Sequence, residues 1–168
     1  AVALVHEIMG SELDTKRMLA SLANVTPAFG RGETVTINQL PCELVLVKNP
    51  SGFRLGLKSF ESKGYATMIA INDSYADGRD VSWLWDVDFD SLKNEGVAEV
   101  SGVRAFDMSL RLQYDEVIAN KIEPDLTKAL AEFINDNKQK PKRIYCIYTA
   151  MLALRRELAK YTDVEAIR

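Results

Sequence analysis

The chain has 168 residues, 47% hydrophobic and 27% charged, which is the size of one domain and the composition of an ordinary globular protein. Its formal net charge of −3 gives no general attraction to nucleic acid or to anionic lipid, and no apolar run reaches the roughly 20 residues a membrane-spanning helix needs. The single histidine, His6, excludes a His-rich metal cluster and any internal Ser–His–Asp triad not built on that residue.

The opening AVALVHEIMG lacks the basic lead-in of a signal peptide and reads as a helix met part-way, so the chain is expected to be a piece of a longer protein. Residues 11–24 read as a second helix, with Ser11 or Asp14 as cap and Leu13, Met18, Leu19 and Leu22 as its apolar stripe. Pro27, Gly30 and Gly32 break the helix. A strand-like run then leads through a short crossing to ELVLVKN at 43–49. Pro50 suits the first position of a helix capped by Asn49 and running to about Glu61. Further strands are expected at 65–72, 96–102, 116–120 and 142–149, separated by helices at 104–114 and 123–137 and followed by one at 150–161. Cys42 and Cys146 sit in apolar runs and read as buried free thiols.

Short apolar strands alternating with helices imply an α/β domain whose mostly parallel sheet is covered by helices on both faces. Glycine, polar residues and Pro41 mark a joint around 30–42, so residues 1–38 are expected to form a helical unit with its linker and 39–168 the α/β domain. In such a sheet, function gathers at the carboxyl ends of the strands. Two strand ends stand out, LVKNPSGF and INDSYADGRDVSWLWDVDFD.

The second of these holds Asp77, Asp80, Asp86, Asp88 and Asp90 beside both tryptophans, Trp83 and Trp85. The spacing is not that of a calcium loop, which begins D-x-[DN]-x-[DN]-G and closes on Glu. Asp77–Gly78 as a turn and Asp80 as a cap would account for two of the acids. The tryptophans would serve as a binding surface or as core anchors. In FGRGE, Arg31 is either a fixed cation for a phosphate or the partner of Glu33 or Glu43. In KNPSGF, Asn49 and Ser51 open a helix beside Lys48, which is either an anion site or simple capping. No P-loop pattern occurs in the chain, and Arg155–Arg156 read as a solvated helix face.

Taken together, TPAFGRGE, LVKNPSGF, INDSYADGRDVSWLWD, SGVRAFDMSLRLQY and YTAMLALRREL resemble the C-terminal part of the MurT family over essentially the whole chain, ADGRDVSWLWD most specifically. MurT proteins are the Mur-ligase-like subunits of MurT–GatD amidotransferases. The resemblance implies that residues 1–38 are the tail of the ATP-binding central domain and 39–168 a Rossmann-like module. It implies a complex acting in the cytoplasm at the inner face of the membrane. There, ATP and Mg in the full-length protein activate the D-glutamate α-carboxyl of lipid II, and ammonia from the glutaminase GatD converts it to D-isoglutamine. The ATP core lies upstream, so this piece alone is expected to be inactive.

In that family an aspartate of the C-terminal domain completes the Cys–His pair of the glutaminase. The matching stretch makes Asp86 the first candidate and Asp80 the second, with Trp83, Trp85 and Asp77 at the partner interface. Arg31, Lys48 and Asn49 match the positions facing nucleotide, although Lys48 stands where many Mur ligases carry Asp. Tyr148–Thr149–Ala150 replaces the Lys-Gly-Ser common in Mur ligases, so no role attributed to that Lys carries over. Two other readings stay open: a docking module without chemistry of its own, and a Mur-type ligase that adds an amino acid rather than ammonia.

Overall fold

The run Ala66–Ala70 is buried at every position, as is Lys142–Cys146, and two strands buried on both faces belong in the middle of a parallel sheet. In the computed structural model, which describes residues 2–10, 13–24 and 31–164, they pair with each other there. The described strands are β1 (Arg31–Ile37), β2 (Leu40–Leu46), β3 (Ala66–Ala70), β4 (Glu99–Ser101), β5 (Ile122–Glu123) and β6 (Lys142–Cys146). They form one sheet in the order β1-β2-β6-β3-β4-β5, antiparallel between β1 and β2 and parallel elsewhere. The helices are α1 (Val2–Met9), α2 (Thr15–Ala23), α3 (Pro50–Ser59), α4 (Ala105–Tyr114), α5 (Leu126–Asp136) and α6 (Tyr148–Leu158).

Each face of the sheet carries its own core. On one face α5 and α6 pack Leu130, Phe133, Met151 and Leu154 against Leu44, Met68 and Ile144. On the other, α3 and α4 pack Phe53, Leu57, Met108 and Leu112 against Val45, Ile69 and Val100, and the β3–β4 connection inserts Leu84, Val87, Phe89 and Leu92 between them. The fold class read from the sequence is therefore the observed one, with helices on both faces of a mostly parallel sheet.

Three local readings need correction. The short crossing before β2 is a tight hairpin, in which Asn38 and Gln39 both adopt positive φ, the geometry of a two-residue turn whose twist matches its strands. β1 is laddered to β2 in the same sheet, so the expected division at 38/39 falls at the turn of this hairpin. The short strand expected at 116–120 forms only an isolated bridge through Ala119, and the true edge strand follows at Ile122–Glu123. Finally, α6 begins at Tyr148, directly after Ile147, so Tyr148–Thr149 belong to a helix start and not to a strand. Helices α1 and α2 bury no residue.

Candidate functional site

The parallel register sends the carboxyl ends of β2, β3, β4 and β6 to one edge of the sheet. There the chain after β3 is tied down by a polar network. Asn72 donates from Nδ2 to Thr149 Oγ1 (3.0 Å) and accepts at Oδ1 from the Val103 N–H (3.1 Å). Thr149 Oγ1 in turn donates to Asp77 Oδ2 (2.5 Å), and the Thr149 N–H donates to Asp77 Oδ1 (2.8 Å). The same carboxylate accepts from the Ser74 N–H (3.1 Å), closing a capping box around the turn Tyr75–Asp77. Asp77 thus caps the start of α6 from another element, where a helix terminus favours negative charge. Its side chain is buried and engaged by these three bonds, so the surface role expected of it is corrected to an internal one.

The next turn, Ser82–Asp86, divides its residues sharply. Asp80 is exposed and accepts from the Ser82 N–H (2.8 Å), and that bond holds its carboxyl below the usual carboxylate range. Trp83 turns inward, touching both cores and lying 6.5 Å from the Phe53 ring. Trp85 turns outward, 49% exposed, with its edge against Tyr114 at 4.9 Å between ring centroids. The two tryptophans therefore do different jobs, one as a core anchor and one at the surface.

Two arginines clamp the backbone of this turn. Arg111, buried on the inner face of α4, donates to the carbonyls of Leu84 (3.2 Å) and Val87 (2.5 Å) and pairs with Asp115 (2.7 Å). Its guanidinium also lies 5.4 Å from the centroids of both the Trp85 and Phe89 rings. Arg54, from α3, donates to the carbonyl of Asp86. The Asp86 carboxylate itself is exposed and has no hydrogen-bond partner among the described residues. Further on, Asp88 accepts from the Asp90 N–H (2.8 Å) and Asp90 pairs with Lys93 (2.6 Å). Oxygens of Asp88, Asp90 and Asp115 lie within 4.8 Å of one another, but Asp115 and Asp90 are held by Arg111 and Lys93.

The other strand end converges on the same turn through α3, whose Phe53 meets Trp83 and whose Arg54 meets Asp86. Asn49 caps α3, accepting from the Gly52 N–H (2.8 Å), so its carboxamide oxygen is engaged; Lys48 beside it is exposed. Arg31 opens β1, and its side chain lies outside the described residues. Glu33 pairs with Arg155 and Glu43 with Arg143 (2.7 Å). Arg155 is buried by its ion pair, which corrects the solvated face expected of residues 155 and 156; Arg156 alone is exposed.

The model of the family described as MurT ligase C-terminal matches residues 46–151, a span containing both strand-end loops and every candidate except Arg31. This chain belongs to the MurT family. It is 35% identical over 136 residues to the lipid II isoglutaminyl synthase (glutamine-hydrolyzing) subunit MurT of Streptococcus pneumoniae (strain ATCC BAA-255 / R6), covering 78% of this chain and 30% of that protein. It is 39% identical over 94 residues to the subunit of the same name from Staphylococcus aureus (strain COL), covering 52% of this chain and 21% of that one. The chain therefore spans less than a third of the length of either relative. Among solved structures, folylpolyglutamate synthase from Thermotoga maritima shares the fold, with a TM-score of 0.54 and 19% identity over 92% of this chain and 35% of its own.

Within this MurT-family domain, four functional or supporting residues escaped the sequence reading. Arg111 carried a signal, because it stands on the same face of α4 as Met108 and Leu112, where a cation requires an internal partner. Asn72 and Thr149 carried none, since they lie 77 residues apart and meet only through β3–β6 pairing. Glu99, 1% exposed at the start of β4, looked like the polar break in an apolar strand. Burial pushes its carboxyl up to about 7, opposed by Lys121 and reinforced by Glu132, Asp136 and Glu123. Burial likewise pushes the Cys42 thiol up to about 12 and raises that of Cys146, in keeping with two buried free cysteines.

Proposed function

We propose that this chain is the C-terminal part of an ATP-dependent, glutamine-hydrolysing amidotransferase subunit that docks a GatD-type glutaminase and supplies an aspartate to its Cys–His pair. The overall reaction is amidation of the D-glutamate α-carboxyl of lipid II at the inner membrane face. Glutamine is hydrolysed to glutamate and ammonia, and the carboxylate and ammonia become a carboxamide while ATP is cleaved to ADP and phosphate. ATP with Mg supplies the activation of that carboxylate from the full-length protein. Of this chain's residues, Lys48 is exposed and free to approach a phosphate, whereas Asn49 has its oxygen engaged as a cap.

The observation that carries the reading is Asp86. Its backbone is clamped by Arg54, the flanking carbonyls of Leu84 and Val87 are held by Arg111, and its carboxylate is left exposed and unpartnered among the described residues. A Cys–His pair needs a third group to hold the imidazole tautomer and to stabilise the imidazolium. An unspent carboxylate at a surface, carried on a clamped backbone, suits that task. Asp80 is the second candidate, also exposed, but one of its oxygens already caps the turn. Asp77 is excluded because its oxygens are engaged internally.

The test uses the full-length protein with its glutaminase and measures ammonia release and complex affinity. Asp86→Asn should lower the turnover of glutamine at least about 100-fold while leaving the dissociation constant unchanged. Full activity in both Asp86→Asn and Asp80→Asn would overturn the donated carboxylate and favour the docking-module reading. Product mass separates the amino-acid-ligase reading, since gaining a residue and exchanging hydroxyl for amine differ plainly.

A further inference from the structure

Glu99 is buried at the start of β4, and one of its carboxyl oxygens has no hydrogen-bond partner. It lies on the α5 face of the sheet. Its register partner is Met68, which shares a core with Leu130 and Phe133 of α5, while the next residue, Val100, turns to the opposite core. Ser101, two residues on, is on the Glu99 face, fully buried, and its hydroxyl is also without a partner. An ionised carboxylate left unpaired in such a place is costly. The arrangement in the structure therefore suits the protonated acid.

The register between β4 and β5 brings a cation to its side. Val100 stands beside Ile122, so the preceding lateral pair is Glu99 and Lys121, and the Val100 N–H donates to the Lys121 carbonyl (3.0 Å). Neighbouring strands lie about 4.8 Å apart and a lateral pair shares one face, so the Lys121 stem rises beside Glu99. Its ammonium passes Glu99 and reaches α5, where it pairs with Glu132 (3.2 Å) and Asp136 (2.7 Å). The other charged groups on this side are Glu123, which pairs with Lys128, and Lys128 itself, 4.0 Å from Glu132. The residues of β3 paired on this face, Met68 and Ala70, are apolar. Three acids thus lie within reach of one flexible ammonium, and their needs differ. Glu132 and Asp136 are partly exposed and solvated, so each tie to Lys121 is weak. Glu99 needs a cation only when it is charged, and then strongly, because it is buried. Burial raises its carboxyl to about 7, with Lys121 opposing the rise. The segment concerned is an edge: β5 has two residues and is paired on one side only.

We infer that Glu99, Lys121, Glu132 and Asp136 form a proton-controlled latch at the β5 edge of the sheet. With Glu99 protonated, Lys121 ties that edge to the C-terminal half of α5. When Glu99 gives its proton to solvent, the ammonium is drawn back onto it, Glu132 and Asp136 lose their cation, and the corner between β5 and α5 loosens.

The experiment is amide hydrogen exchange of the full-length protein at pH 5 and pH 8, corrected for the intrinsic pH dependence of exchange. A carboxyl raised in the closed form favours that form at low pH and ceases to do so as the pH rises through about 7. Protection of the amides in 119–123 and 131–137 should therefore fall at least about 10-fold at pH 8. Glu99→Gln, which stays neutral, should keep their protection the same at both pH values. Asp136→Asn separates the transfer of Lys121 from burial alone. It should lower protection of 131–137 about 3-fold more at pH 5, where Asp136 holds the ammonium, than at pH 8, where it has lost it. In the Glu99→Gln background the Asp136→Asn effect should be equal at the two pH values. A wild-type response below about 2-fold, or one that persists in Glu99→Gln, would overturn the latch. So would an Asp136→Asn effect in the wild-type background that does not change with pH, since Lys121 would then not have moved.

Discussion

Glu99→Gln is the most informative single change to the core. Glu99 is 1% exposed, one of its carboxyl oxygens has no hydrogen-bond partner, and burial raises its carboxyl from 4.5 to about 7. The charged groups around it are Lys121 and Glu123 from the β5 region and Glu132 and Asp136 from α5. Lys121 pairs with both α5 acids (3.2 and 2.7 Å), so its charge is shared and does not neutralise Glu99 alone. A carboxyl whose pKa rises on folding binds its proton more tightly in the native state. Its contribution to stability is complete below about 4.5 and is lost as the pH rises through about 7. At about 1.4 kcal/mol for each pH unit between the two values, the loss amounts to about 3 kcal/mol. Urea unfolding of wild type and Glu99→Gln at pH 4 and pH 8 reads it directly. Near pH 4 the two should be nearly equal, because the protonated acid and the amide are both neutral. At pH 8 the variant should be the more stable by about 3 kcal/mol. A difference that does not change between the two pH values would refute the burial of an unpaired Glu99 as described.

Gly102 adopts φ +92°, and a methyl group there would lie 2.4 Å from the Ile71 carbonyl oxygen and 2.8 Å from Asn72 Oδ1. Gly102→Ala should therefore cost at least about 2 kcal/mol in chemical denaturation. Arg111→Ala should cost about 3 kcal/mol, because Asp115 and two carbonyls lose their donor together, and Arg111→Lys should not restore it, since one ammonium cannot reproduce the fork. Trp83→Ala should destabilise the fold by about 3 kcal/mol, whereas Trp85→Ala should change stability by less than about 1 kcal/mol; unfolding curves of the pair separate core anchor from surface residue. Asp77→Ala and Thr149→Val should each weaken the fold by about 1–2 kcal/mol, and the double variant should cost less than their sum, because the two changes remove the same bonds.

The parallel sheet was legible because its central strands are continuous apolar runs bounded by turn residues, and Ala66–Ala70 and Lys142–Cys146 leave no face for water. Asn49 announced the start of α3, accepting from the N–H three residues on, whereas α5, capped in the same way by Asp125, starts at Leu126 and not at the expected residue 123. Legibility failed where partners are distant in sequence. Arg155 looks solvent-facing until Glu33 of β1, 122 residues away, is brought beside it. The hairpin at Asn38–Gln39 was hidden because Gln is not a usual left-handed residue, and its positive φ is imposed by the pairing on either side. In the candidate loop, the family resemblance ranked Asp86 before Asp80 and set Asp77 at the surface. The hydrogen bonds divide these acids by which of their oxygens are engaged.

That division explains why so acidic a turn is stable and why one acid is left over. Asp77 is spent on the start of α6, Asp80 on the Ser82 amide, Asp88 on the Asp90 amide and Asp90 on Lys93, each beside a positive partial or full charge. Asp86 alone receives its order from the backbone. Arg54 reaches it from α3 and Arg111 holds Leu84 and Val87 from α4, so two helices fix the backbone that carries this carboxylate without using the carboxylate oxygens. A side chain placed in this way needs little rearrangement before it can accept a proton donor from another protein, which is the property a donated catalytic group requires. Had the guanidinium of Arg54 paired with the carboxylate instead of the carbonyl, the same turn would be as well ordered and Asp86 would have no capacity left to offer.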